Sequence, residues 1–101
     1  MLYREGDHVA SATGVVAIRD IAPRAPTHLL VIPERHIESL HDVAEFPPEE
    51  AKQMLDFIAK TAAEAGLADY RVIVNVGAGA GQTIFHLHWH ILGGRPLGAM
   101  G

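Results

Sequence analysis

Between Pro48 and about Ala65, apolar side chains recur three and four residues apart at Ala51, Met54, Leu55, Ile58, Ala62 and Ala65, the spacing of one helix face. Pro47-Pro48-Glu49-Glu50 places proline and acids where a helix begins, and Gly66 stops the run. Elsewhere the pattern is that of strands. Val15 to Ile18 and Thr27 to Ile32 predict two of them, joined by Asp20–Pro26, a connection held extended by its prolines. Pro33 opens a short helical turn carrying His36, Ile37 and Leu40. Arg71 to Val76 and Thr83 to Leu92 predict two further strands around a Gly77–Gly81 loop, whereas Gly6 to Gly14 reads as irregular. The order strand, strand, helix, strand, strand, with a glycine loop joining the last two, predicts an α+β fold. It is an antiparallel meander sheet with one long and one short helix, the long helix packed on one face. The helix stripe is core or dimer surface.

A chain of 101 residues fits one domain, residues 1–101, able to fold alone yet small enough for a second copy to help cover its apolar surface. No apolar run is long enough to span a bilayer, and Met1–Glu5 lacks the start of a signal peptide, so a cytoplasmic protein without a membrane role is expected. With no cysteine, disulfides, thiolate metal sites and cysteine nucleophiles are excluded. The net charge of −4, with eight scattered Lys and Arg residues, offers no footprint for nucleic acid. A nucleotide-sized ligand stays open.

The sharpest chemical feature is His86-Leu87-His88-Trp89-His90. Alternate positions of a strand share a face about 6 to 7 Å apart, so this spacing predicts three imidazoles on one side and Leu87, Trp89 and Ile91 on the other. Such rings compete for hydrogen bonds and repel one another when charged, which packing alone does not reward. His8, His41 and His36 carry no comparable pattern and read as ordinary histidines. A hairpin closing symmetrically around residues 77 to 82 sets Asn75 opposite Ile84, on the histidine face. His28, with Leu30 and Ile32 on its face, joins the site if its strand neighbours the hairpin. The glycines at 77, 79 and 81 fit neither the dinucleotide nor the P-loop fingerprint, but they let backbone N–H groups converge on an anion beside Gln82 and Thr83.

These residues suit transfer of a phosphorus group to an imidazole, the middle ring being best flanked, with no cofactor. Two other readings stay open. One is a metal-dependent hydrolase, since His-x-His is a zinc-ligand spacing, although no acid lies between Asp69 and the C-terminus. The other is a nucleotide-binding interaction protein with vestigial activity.

Ala25-Pro26-Thr27-His28, Asn75-Val76-Gly77, Gly81-Gln82-Thr83 and His86 through Arg95 together resemble the histidine triad (HIT) family, in its Hint branch. The resemblance covers about residues 16–97, with a shortened N-terminal segment ahead of it. It implies a homodimer whose sheet continues across the pair and which hydrolyses purine nucleoside phosphoramidates, or related nucleoside monophosphate derivatives, without metal. The expected ligand is a purine nucleotide such as AMP or its phosphoramidate. By the same resemblance His88 is the nucleophile, and His28, His86 and His90 orient it and manage protons. Gln82 and Thr83, with Gly81, would contact the phosphate and leaving group and Asn75 would brace the site. Asp20 would bind the ribose, with Ile18, Ile21 and Leu30 near the base.

Overall fold

The computed structural model describes residues 8–99; Met1–Glu5 and Gly6, on which two of the expectations above rest, lie outside them. Five strands form one antiparallel sheet: β1 (His8–Ala12), β2 (Val15–Arg19), β3 (Thr27–Pro33), β4 (Tyr70–Ile73) and β5 (Trp89–Gly93), in the order β1-β2-β3-β5-β4. The helix α1 (Pro48–Glu64) crosses between β3 and β4, so the last hairpin enters with β5 innermost and β4 at a free edge. Among the described residues no helix is long and apolar enough to cross a membrane.

One face of the sheet packs on α1. Val15, Ala17, Leu29, Val31 and Ile91 meet Phe57, Ile58 and Ala62 in the main core. Burial of large apolar side chains, at about 1.5 to 3 kcal/mol each, holds helix to sheet. The helical stripe is offset from the expected one: Phe57 and Thr61 are buried, whereas Leu55 and Ala65 are exposed. On the other face Val16, Ile18 and Ile32 are buried together with Leu30 against them.

Three expectations are corrected. Residues 8–12 are a strand, disguised by a bulge between His8 and Ala10 and by small residues; Gly14, at φ +82°, lets it turn into β2. The short helix is a 3₁₀ segment at Leu40–Glu45, later than Pro33, because Ser39 caps it by accepting from the His41 N–H. The histidine strand begins only at Trp89, and residues 83–88 are irregular.

The shortening of the histidine strand has a tertiary cause. The Leu87 N–H donates to the Ile37 carbonyl at 2.7 Å, and Leu87 itself is buried with Ile37, Phe46 and Met54. Gln82, only 4% exposed, accepts from the Gly77 N–H at 2.9 Å and donates to the carbonyls of Glu38 at 2.6 Å and Ile84 at 3.0 Å. Segment 82–88 is thus fastened to residues 37–38, not laddered onto β4. Removing a buried amide that satisfies three backbone groups leaves them unpaired, so Gln82→Ala is expected to cost about 1–3 kcal/mol of unfolding free energy. Urea denaturation measures this, and an unchanged midpoint would contradict the role given to Gln82.

Candidate active site

β3 lies beside β5, with Leu30 paired to His90 and His28 to Leu92, so both histidines project from the sheet face opposite α1. The pairing of Ile73 with His90 shifts the β4–β5 register by four residues from the symmetric hairpin. An even shift keeps every side chain on its face, and Asn75, just past the end of β4, still reaches the site. A cleft of about 480 Å³ opens there, lined by Asp20, Arg24, His28, Asn75, Thr83, His88 and His90, together with Gly81 and the apolar Ile73 and Leu92.

Hydrogen bonds assign the imidazole protons. The Arg24 N–H donates to His28 Nδ1 at 3.0 Å, so the neutral ring carries its proton on Nε2 and donates it to His90 Nδ1 at 2.9 Å. His90 therefore keeps its own proton on Nε2. His88 Nδ1 lies 2.8 Å from the His86 carbonyl, which can only accept, so the proton is on Nδ1 and the Nε2 lone pair is free. The His88 and His90 ring centres are 5.2 Å apart.

The third triad member faces elsewhere. His86 Nε2 donates to the Pro33 carbonyl at 2.7 Å and its ring meets His36 edge-on at 4.9 Å. The expectation of three imidazoles on one face fails here because residues 83–88 are not strand; His86 serves the cleft through its backbone carbonyl. Gln82 is turned to the backbone instead of the cleft, and Ile21 is 97% exposed. Ile18 and Leu30 belong to the apolar cluster adjoining the cleft on the same face. The sequence reading missed Arg24, whose only signal was its position in the proline-bounded loop before His28. It also missed Ile73 and Leu92, which strand alternation places once the register is known.

Asp20 supplies the acid that the histidine cluster lacked in sequence. Its Oδ1 accepts from the Ala22 N–H at 2.8 Å, and Oδ2 lies 3.3 Å from His28 Nε2 and 4.0 Å from His90 Nδ1. One ligand atom from each of Asp20, His28 and His90 lies within 4.8 Å of the others, a grouping compact enough for a metal. The hydrogen bonding of His28 opposes one. His28 Nε2 is the protonated nitrogen, and an ion there would drive the proton to Nδ1, against the Arg24 N–H.

Comparison with known proteins agrees with this architecture. The HIT domain profile matches residues 4–97. Over 89 residues the chain is 48% identical to a HIT-like protein of Chlamydia pneumoniae, covering 84% of this chain and 78% of that one. Over 88 residues it is 44% identical to a protein of Escherichia coli strain K12 named purine nucleoside phosphoramidase, with coverage of 85% and 74%. A crystal structure of a HIT family hydrolase from Legionella pneumophila superposes with a TM-score of 0.83 at 41% identity, over 89% of this chain and 82% of that one.

The same burial that orders the cleft disfavours charge in it. Desolvation lowers the His28 pKa, with Arg24 adding to the effect and Asp20 opposing it. Desolvation, then His88 and His28, pushes His90 from 6.5 down to about 4. Between those two values the unfolded chain binds a proton at His90 that the folded chain does not, so stability rises with pH across that window. The melting temperature is expected to fall as pH is lowered from about 6.5 towards about 4. Calorimetry across this range checks the effect, and His90→Asn should flatten the slope.

Proposed function

The chain belongs to the HIT domain family, and we propose that it is a nucleotide-binding hydrolase cleaving purine nucleoside phosphoramidates, or related nucleoside monophosphate derivatives, through a nucleotidyl-histidine intermediate. The observation that carries this reading is the free Nε2 lone pair of His88, aimed by the Nδ1–H bond to the His86 carbonyl and lining the cleft. The name of the Escherichia coli relative supplies the substrate class.

In the proposed first step His88 Nε2 attacks phosphorus, the phosphorus–nitrogen bond breaks, and the departing amine keeps the electron pair and takes up a proton. His90 is the neighbouring ring that can give that proton when the His28–His90 pair carries an additional one. As the His88 ring becomes cationic, its bond to the His86 carbonyl strengthens, stabilising the intermediate. Water then attacks phosphorus and passes a proton back to the His28–His90 pair, the bond to Nε2 breaks, and the nucleoside monophosphate leaves. Thr83 and the Gly81 backbone meet the phosphate, Asn75 braces the site, and Asp20 binds the ribose. Ile18, Leu30 and the exposed Ile21 lie towards the base. Gln82 supports the phosphate loop from behind, and no metal takes part.

His88→Ala is expected to lower turnover of an adenosine phosphoramidate more than about a thousandfold while nucleotide affinity changes little. Rapid quench of the wild-type enzyme should yield a protein heavier by one nucleotidyl group. Near wild-type turnover in the variant sinks the nucleophile assignment, and loss of wild-type activity on treatment with a chelator moves the reading to metal chemistry.

We also propose that the protein is a homodimer built on α1 and β4. Leu55 on the helix is 51% exposed, and Tyr70 and Val72, on the helix-facing side of the free edge, are each 40% exposed. An unpaired edge flanked by apolar side chains favours sheet continuation between copies. Sedimentation should show two chains at micromolar concentration and one for Val72→Lys; a wild-type monomer removes the claim.

A further inference from the structure

His28 Nε2 and His90 Nδ1 face each other across 2.9 Å and share a single proton. A second proton on this pair has no place between them, because two N–H groups would then point at one another. One N–H must find a different acceptor. Among the groups described around the pair, the carboxylate of Asp20 is in reach of both nitrogens, its Oδ2 standing 3.3 Å from one and 4.0 Å from the other. The carboxylate is itself held in place, since Oδ1 accepts from the Ala22 N–H at 2.8 Å and the Asp20 N–H donates to the His28 carbonyl at 2.9 Å.

We propose that Asp20 is a positioning residue for proton movement, the acceptor that lets the His28–His90 pair take up one additional proton and return it. This reaches beyond the ribose contact proposed above. Its catalytic consequence rests on the hydrolase reading; the protonation of the pair does not.

Among the described residues, the other charged or titratable groups that act on the pair oppose the extra proton. Arg24, from the loop before β3, and His88, from the segment before β5, both disfavour charge on His90. Arg71, on β4, donates to the Gly98 carbonyl. Among the described residues, Asp20 is the one neighbour that favours the cationic form of each ring. The carboxylate is 17% exposed, dry enough for its charge to be felt and open enough for a substrate to touch it.

The test is Asp20→Asn, which preserves shape and an acceptor oxygen for the Ala22 N–H while removing the charge, with Asp20→Glu as the conservative partner. Histidine nitrogens are followed by NMR in ¹⁵N-labelled, substrate-free protein, and kcat is measured separately from KM. An opposite charge at this distance is worth about one pKa unit or more. At the pH where half of the wild-type pair has taken up a proton, the Asn variant should therefore be about a tenth protonated or less, with Asp20→Glu in between. A fall in kcat of about tenfold or more, partly rescued by Glu, is expected at saturating substrate. Unchanged protonation in Asp20→Asn overturns the inference, as does altered protonation with kcat preserved and only KM raised. A wild-type protein without turnover defeats the hydrolase reading instead, and the NMR arm still decides whether Asp20 accepts the proton.

Discussion

The pairing of β3 with β5 is the constraint on which the remainder depends. It brings His28 beside His90 across 62 positions of sequence and fixes which face both rings occupy. The opposite faces of the same strands carry Leu29, Val31 and Ile91 into the core under α1. A slip of one residue would exchange the two sets, putting imidazoles into the apolar core and aliphatic side chains into the cleft. Core packing and site geometry therefore enforce a single register.

Around that frame the cleft is built from groups that fix protons more than from groups that carry charge. Backbone amides and carbonyls decide the tautomer of each ring: the Arg24 N–H for His28, and the carbonyls of His86 and Pro33 for His88 and His86. An imidazole held this way needs no metal to be oriented, and its unprotonated nitrogen is presented without first losing a proton. Burial lowers the proton affinity of His28 and His90, and Asp20 offsets part of that cost.

The irregular stretch before β5 shows how support is divided from chemistry. A continuous strand from Thr83 would have paired with β4 and turned His86 to the cleft. Instead Gln82 and Leu87 fasten the segment to residues 37–38, and His86 lends the site a carbonyl oxygen while its ring ties the segment to Pro33. The motif thus holds one imidazole with an unprotonated nitrogen in the cleft, one acceptor carbonyl and one brace, roles that alternation alone does not separate.

Local sequence determined the elements whose cause is local. The apolar period from Ala51 to Ala62, bounded by Pro48 and Gly66, specified α1; the runs at residues 15–18 and 27–32 specified β2 and β3. The alternating histidines drew attention to this strand, and of the residues that the family resemblance named, Asp20, His28, Asn75, Gly81, Thr83, His88 and His90 line one cleft, whereas His86, Gln82 and Ile21 do not. Tertiary structure decided the rest. The bulge hid β1 because its irregular pairing is visible only against β2. The length of the histidine strand depended on hydrogen bonds to a segment some fifty residues earlier. The neighbourhood of Asp20, His28 and His90 required three strands to be placed side by side, and no spacing along one chain segment encodes a contact closed by the registers of a sheet.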